Sequence, residues 1–164
     1  MSTKMSNVQH KCKTIFLEGA VDKNECDKLY TSLEGNIKWE EGVRSKKGFT
    51  RKARALSYGD NSSIDKVIDE VLENITDTKY VIVGIYLNYY ENEDMWTPNH
   101  SHKGTHQLVI SLGDSRILQV AKKEYLMKNG DAIIFGSAIH GIPKSVEPKN
   151  GRISIATFMI PLFP

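Results

Sequence analysis

From Tyr80 onward the chain is a succession of short apolar, β-branched or aromatic runs, each closed by a turn signal, and this pattern constrains the fold most. The runs fall at 80–90, 107–112, 116–120, 124–127, 131–135 and 152–160, with turns at Gly113-Asp114, Asn129-Gly130 and Lys149-Asn150-Gly151. Many short antiparallel strands are expected. The half before Tyr80 reads differently. After a short strand at 14–18, Asp22-Lys23-Asn24-Glu25 carries the N-cap and N3 residues of a capping box, with Val21 and Cys26 as a staple. Cys26, Leu29, Tyr30 and Leu33 recur at helical spacing, and Gly35 is the expected stop. A second helix, capped by Ser62, has the stripe Ile64, Val67, Ile68, Val71, Leu72 and Ile75. The class expected is α+β: a double-stranded β-helix, or jelly roll, with two supporting helices packed on one face.

A length of 164 residues suits one domain, expected over 14–164 behind a loose polar tail at 1–13. The net charge of +2 is compatible with nucleic acid but does not demand it. Cys12 and Cys26 make no disulfide framework and read as reduced thiols. There is no apolar run long enough to span a membrane and no signal-peptide core at the start. The expectation is an intracellular protein, cytoplasmic or nuclear, acting as a monomer.

Chemistry enters where polar residues interrupt apolar strands. A two-residue period puts Tyr86, Asn88 and Tyr90 on one face of the 80–90 strand, a polar row that needs polar company once buried. His100 and His102 share a face if the chain is extended there, which makes half of a metal site. His140 follows the buried run 131–135, where a lone histidine is more commonly a satisfied core residue. His106 reads as a surface or core histidine, and His10 belongs to the tail. Arg152 opens the last strand and shares a face with Ser154, Ala156 and Phe158; a buried arginine needs an anion, from protein or ligand. Finally, Arg44, Lys46, Lys47, Arg51, Lys52 and Arg54 lie among Trp39, Phe49 and Tyr58. Cations meet phosphates and rings stack on bases. A solvated, charged edge strand explains the same segment equally well.

Taken in order, these pieces resemble the AlkB-type iron(II)- and 2-oxoglutarate-dependent dioxygenases, over about Phe16 to Ile160. Thr50-Arg51 and Tyr58-Gly59-Asp60 are similar to the Pro-Arg and Tyr-Gly-Asp of the family's nucleotide-recognition lid. Asn88-x-Tyr90 resembles its Asn-x-Tyr, Ser111-Leu112-Gly113 its Ser-Leu-Gly turn, and His100 and His140 its two metal histidines. Arg152 stands at the first arginine of its Arg-x-Asn-x-Thr-x-Arg signature. The resemblance implies Fe(II) bound by His100, His102 and His140. It implies 2-oxoglutarate held by Asn88, Tyr90, Arg152 and Ser154. It further implies oxidative demethylation of methylated DNA or RNA bases, with Arg51, Lys52, Arg54, Tyr58 and Trp39 as substrate contacts.

The departures from the family bear on mechanism. Its His-x-Asp is His100-Ser101-His102 here, so the site is one unit more positive and also suits zinc, copper or nickel. Three states are compatible: His102 as third ligand, water in its place, or a binding protein that no longer oxidises. A slip of two residues would instead read His102-Lys103-Gly104 as the His-x-Gly of halogenating relatives, against the Asn88 spacing. Phe158 replaces the last arginine of the signature, which in the family helps hold the cosubstrate. Ser154 and Ala156 replace its asparagine and threonine. The aromatic stretch after Asp60 that shapes the base pocket in many relatives is missing, so a protein side chain or small molecule is an alternative substrate.

Overall fold

The computed structural model of the chain describes residues 12–45 and 48–162, without the side chains at 42–45, 48 and 49. The expected tail up to Lys11, His10, Lys46 and Lys47, and the side chains of Arg44 and Phe49, lie outside the described residues.

The apolar runs fold as their periodicity dictates. The strands are β1 (Ile15–Leu17), β2 (Glu40–Ser45), β3 (Gly48–Leu56), β4 (Tyr80–Tyr90), β5 (Thr97–His100), β6 (His106–Gly113), β7 (Arg116–Val120), β8 (Lys123–Met127), β9 (Ala132–Phe135), β10 (His140–Ile142) and β11 (Arg152–Pro161). Two helices, α1 (Lys23–Asn36) and α2 (Ser62–Ile75), interrupt the first half. The strands make a seven-stranded sheet, β1-β9-β6-β11-β4-β3-β2, and a four-stranded one, β5-β10-β7-β8. Among the described residues every strand pairing within them is antiparallel.

Two apolar layers separate the faces of the large sheet. On one side Ile85, Leu87, Tyr89, Leu108, Ile110, Leu112, Ile153 and Ile155 pack with Cys26, Leu29 and Leu33 of α1 and Ile64, Val67, Ile68, Val71 and Ile75 of α2. Burial of each aliphatic side chain contributes about 1.5–3 kcal/mol, so the helix stripes hold this face. On the other side Tyr90, Val109, Ile133, Phe135 and Ala156 meet Leu118, Val120, Met127 and Ile142 of the small sheet. Two facing antiparallel sheets with both helices on one outer face make the jelly roll expected; the barrel is not closed.

Some details depart from the sequence reading. Helix α1 runs through Gly35 to Asn36, whose amide Nδ2 donates to Ser32 O (2.8 Å). The cap of α2 is Asn61 rather than Ser62, its Oδ1 accepting from the Ile64 N–H (3.1 Å). Asp22 does cap α1, accepting from the Asn24 and Glu25 amides. Four further strands appear: β2 and β3, a hairpin over the basic segment that the sequence offered only as an edge strand, and β5 and β10, whose Pro, Asn, His and Gly residues hide a strand signal. The last two matter, because their pairing sets His100 opposite His140.

Gly141 makes that pairing possible: a Cβ there would lie 2.5 Å from Asn99 Oδ1 and 2.8 Å from Thr97 O. Gly141→Ala should therefore force β5 and β10 apart, lowering stability in urea denaturation by about 1–3 kcal/mol, the usual cost of overpacking. It should also weaken binding of a divalent metal by the histidines on either strand.

Candidate metal centre

Between the sheets lies a cavity of about 500 Å³. His100 ends β5, His102 follows it, and His140 opens β10 rather than closing the run before it. One ligand nitrogen from each of the three lies within 4.8 Å of the others. The ring centroids of His100 and His140 are 4.3 Å apart. Tautomers follow from the neighbours. His140 Nδ1–H donates to Ala138 O (2.9 Å) and His100 Nδ1–H to Pro98 O (2.8 Å); a carbonyl can only accept, so each Nε2 keeps a free lone pair. A carbonyl that orients an imidazole in this way is the usual support of a metal-ligating histidine. Burial pushes His140 down to about 4, opposed by the Ala138 hydrogen bond and reinforced by the neighbouring imidazoles. Burial, then His100, also lowers His102. Both favour neutral imidazole, the form that binds metal.

On the opposite wall a polar row crosses the large sheet. The register sets Tyr90 beside Arg152 and Asn88 beside Ser154 on β4 and β11, with Ser111 next to Ser154 on β6. Arg152 is fully buried; its Nε donates to Ser111 Oγ (2.8 Å), while Nη1 and Nη2 have no hydrogen-bond partner among the described residues. Its guanidinium lies 5.3 Å from the centre of the Tyr90 ring. Burial pushes its pKa down to about 10, countered in part by Tyr90, so it remains a cation at neutral pH. Tyr90 shares a 2.6 Å hydrogen bond with Thr97 Oγ1. Among the described residues no aspartate or glutamate lines the cavity.

The candidate substrate contacts separate. Arg51 is buried and lines the cavity, Nε donating to Asn88 Oδ1 (2.6 Å) and Nη1 to Thr50 Oγ1 (3.0 Å). Lys52 and Arg54 pair in register with Tyr89 and Leu87, on the helix side of the sheet. Both are occupied there, Lys52 by Glu91 (3.2 Å) and Glu41 (3.9 Å), Arg54 by Glu40 (2.9 Å). Trp39 packs on Tyr89, ring centroids 5.1 Å apart, and its Nε1 donates to Glu34 O (3.3 Å). Tyr58 OH donates to Asp69 of α2 (2.7 Å). Trp39, Lys52, Arg54 and Tyr58 are thus not among the cavity walls. His106 is a core histidine, its Nδ1 2.8 Å from Tyr80 OH. Sequence reasoning missed Gln107, which does line the cavity; a glutamine inside an apolar strand was the signal that could have found it.

No protein-family model matches the sequence, and no curated protein does either. Solved structures do match. The epimerase SnoN from nogalamycin biosynthesis, in complex with Fe3+, alpha ketoglutarate and nogalamycin RO, covers 96% of this chain and 82% of its own at 9% identity and a TM-score of 0.71. HygX from Streptomyces hygroscopicus, with nickel and 2-oxoglutarate bound, covers 98% and 86% at 9% identity and a TM-score of 0.68. OsALKBH1 covers 90% and 98% at 13% identity and a TM-score of 0.64. The fold is therefore the jelly roll of the 2-oxoglutarate oxygenases. Among the described residues no helix is long and apolar enough to cross a membrane.

Burial of His140 has a consequence for pH. Between 6.5 and about 4 the unfolded chain protonates this histidine while the folded one resists, so stability falls as pH drops through that window. Metal-free protein should lose roughly 2–3 kcal/mol over it, measured by urea denaturation, and His140→Asn should flatten the profile.

Proposed function

We propose that this protein is an iron(II)- and 2-oxoglutarate-dependent oxygenase. The observation that carries the reading is one cavity with two complementary ends: three converging imidazoles, and a buried guanidinium with two partnerless nitrogens. The donor set fits a first-row divalent ion, with His100, His102 and His140 as ligands. The guanidinium fits a carboxylate, which it can grip with a forked, charge-assisted pair. Charge favours the same ligand. Neutral imidazoles leave an ion's charge undiminished, and two arginines without a carboxylate among the lining residues call for a dianion. When bound, the metal and 2-oxoglutarate supply dioxygen activation and C–H oxidation, with succinate and carbon dioxide as products.

The chain's own contribution is orientation and exclusion of water. Arg152, aimed by Ser111, would hold the distal carboxylate, with Tyr90 beside it and Asn88 and Ser154 along the ligand's length. Thr97 fixes the Tyr90 hydroxyl, and Arg51 fixes the Asn88 amide so that its NH2 group faces Ser154. Val109, Leu118, Ile142, Ala156 and Phe158 supply the dry walls that strengthen these contacts.

For the substrate, the geometry supports a small molecule or a side chain best. Lys52 and Arg54 are ion-paired on the sheet face away from the cavity, and Trp39 and Tyr58 have other partners. A second reading, demethylation of an alkylated nucleic-acid base, has the likeness to OsALKBH1 in its favour. Among the described side chains of the basic segment, Arg51 lines the cavity, while Lys52 and Arg54 do not.

Arg152→Met should cut 2-oxoglutarate-dependent succinate formation roughly 100-fold, as loss of a buried charged pair does, with metal binding retained; unchanged turnover contradicts the assignment. The substrate classes separate by salt. A small-molecule enzyme keeps its turnover in the Lys52→Ala/Arg54→Ala variant. A nucleic-acid enzyme loses oligonucleotide affinity there, with a salt slope flatter by about one per lost phosphate contact.

A further inference from the structure

We propose that Gln107 is a ligand-binding residue of this cavity, its side-chain amide donating a hydrogen bond to the acid end of a bound 2-oxo acid, opposite the end gripped by Arg152. The inference rests on the oxygenase reading and adds to it a residue and a contact that the reading does not need.

Strand β6 is buried along almost its whole length, and Leu108, Val109, Ile110 and Leu112 give it an apolar character. A glutamine there must either find a partner or stand as a cost, because a buried amide without a hydrogen bond has lost its water for nothing. Gln107 is 2% exposed, and its Nε2 has no hydrogen-bond partner among the described residues. It nonetheless lines the cavity. Three buried nitrogens among the lining residues lack partners, Nη1 and Nη2 of Arg152 and Nε2 of Gln107, and all three are N–H donors. The ligand that completes this cavity is therefore rich in acceptor oxygens.

Register says which end Gln107 serves. It pairs with Phe158 of β11 on one side and with Phe135 of β9 on the other. The Phe158 ring lies 4.9 Å from that of His102, and the Phe135 ring 4.8 Å from that of His140. Gln107 is thus flanked by the two phenyl rings that touch the imidazoles. Arg152 lies three side chains farther along the same face of β11, past Ala156 and Ser154. A dicarboxylate that meets the guanidinium with one acid group presents the other toward Gln107. A neutral donor suits that end: the metal already offsets the acid's charge, and a further buried cation beside Arg51, Arg116 and Arg152 would add only repulsion.

The test is calorimetric titration of Ni(II)-loaded protein with 2-oxoglutarate and with 2-oxobutyrate, which shares the 2-oxo acid end and lacks the distal carboxylate. Gln107→Leu should weaken both by about tenfold or more, the effect of losing a hydrogen bond to a charged group, whereas Arg152→Met should weaken 2-oxoglutarate alone. Ligand-free Gln107→Leu should also melt at or above the wild-type temperature, because it removes an unpaired buried donor. Wild-type affinities in Gln107→Leu overturn the proposal; so does weakening confined to 2-oxoglutarate, which would move the amide to the distal end. A melting temperature several degrees lower overturns it too, since the amide would then have a structural partner. If the wild-type protein binds neither acid, the oxygenase reading falls and takes this contact with it. Ordinary 2-oxoglutarate binding with a silent Gln107→Leu sinks Gln107 alone.

Discussion

A positive charge with no negative partner among the described residues sits at the centre of this protein. Arg152 is fully buried between two sheets, one nitrogen on a serine hydroxyl and two on nothing. Such a group is expensive in a dry interior, and proteins keep it only where an anion arrives to meet it. The surrounding fold reads as support for that arrangement. Strand β11 lies between β6 and β4, so Ser111, Ser154, Asn88 and Tyr90 flank the guanidinium. The helices seal the other face of the sheet.

The small sheet answers with lone pairs. His100 and His140 are cross-strand neighbours, each with its Nδ1 tied to a backbone carbonyl two residues earlier. That repeated device presents two Nε2 atoms together without any acidic residue to fix them. His102 has no such strand to hold it and leans instead on the rings of His100, His140 and Phe158. Where the resembled family has a carboxylate and an arginine, this chain has an imidazole and a phenyl ring in contact. The two departures are spatially one.

Much of this was legible from the residues. The faces of β4 and β11 follow from a period of two, so Tyr86, Asn88, Tyr90, Arg152, Ser154 and Phe158 share one wall as expected. The helices follow from their apolar stripes. What escaped depends on contacts distant in sequence. Alternation makes Arg51 face opposite to Lys52, but only pairing with β4 decides which of them looks inward. Trp39 and Tyr58 looked available for stacking because nothing local shows that Tyr89 and Asp69 claim them. Strands β5 and β10 carry Pro, Asn, His and Gly in place of the apolar run that reveals β1 and β9. Gln107 was signalled only by standing in an apolar run, and its weight comes from an amide that is buried and unmatched among the described residues.

The most direct test of the central claim is whether binding of 2-oxoglutarate requires both ends of the cavity. Calorimetry should give one 2-oxoglutarate per chain in Ni(II)-loaded protein, and a large loss of affinity when the metal is stripped by a chelator. Absence of binding to the loaded protein, or equal binding with and without metal, would contradict the account.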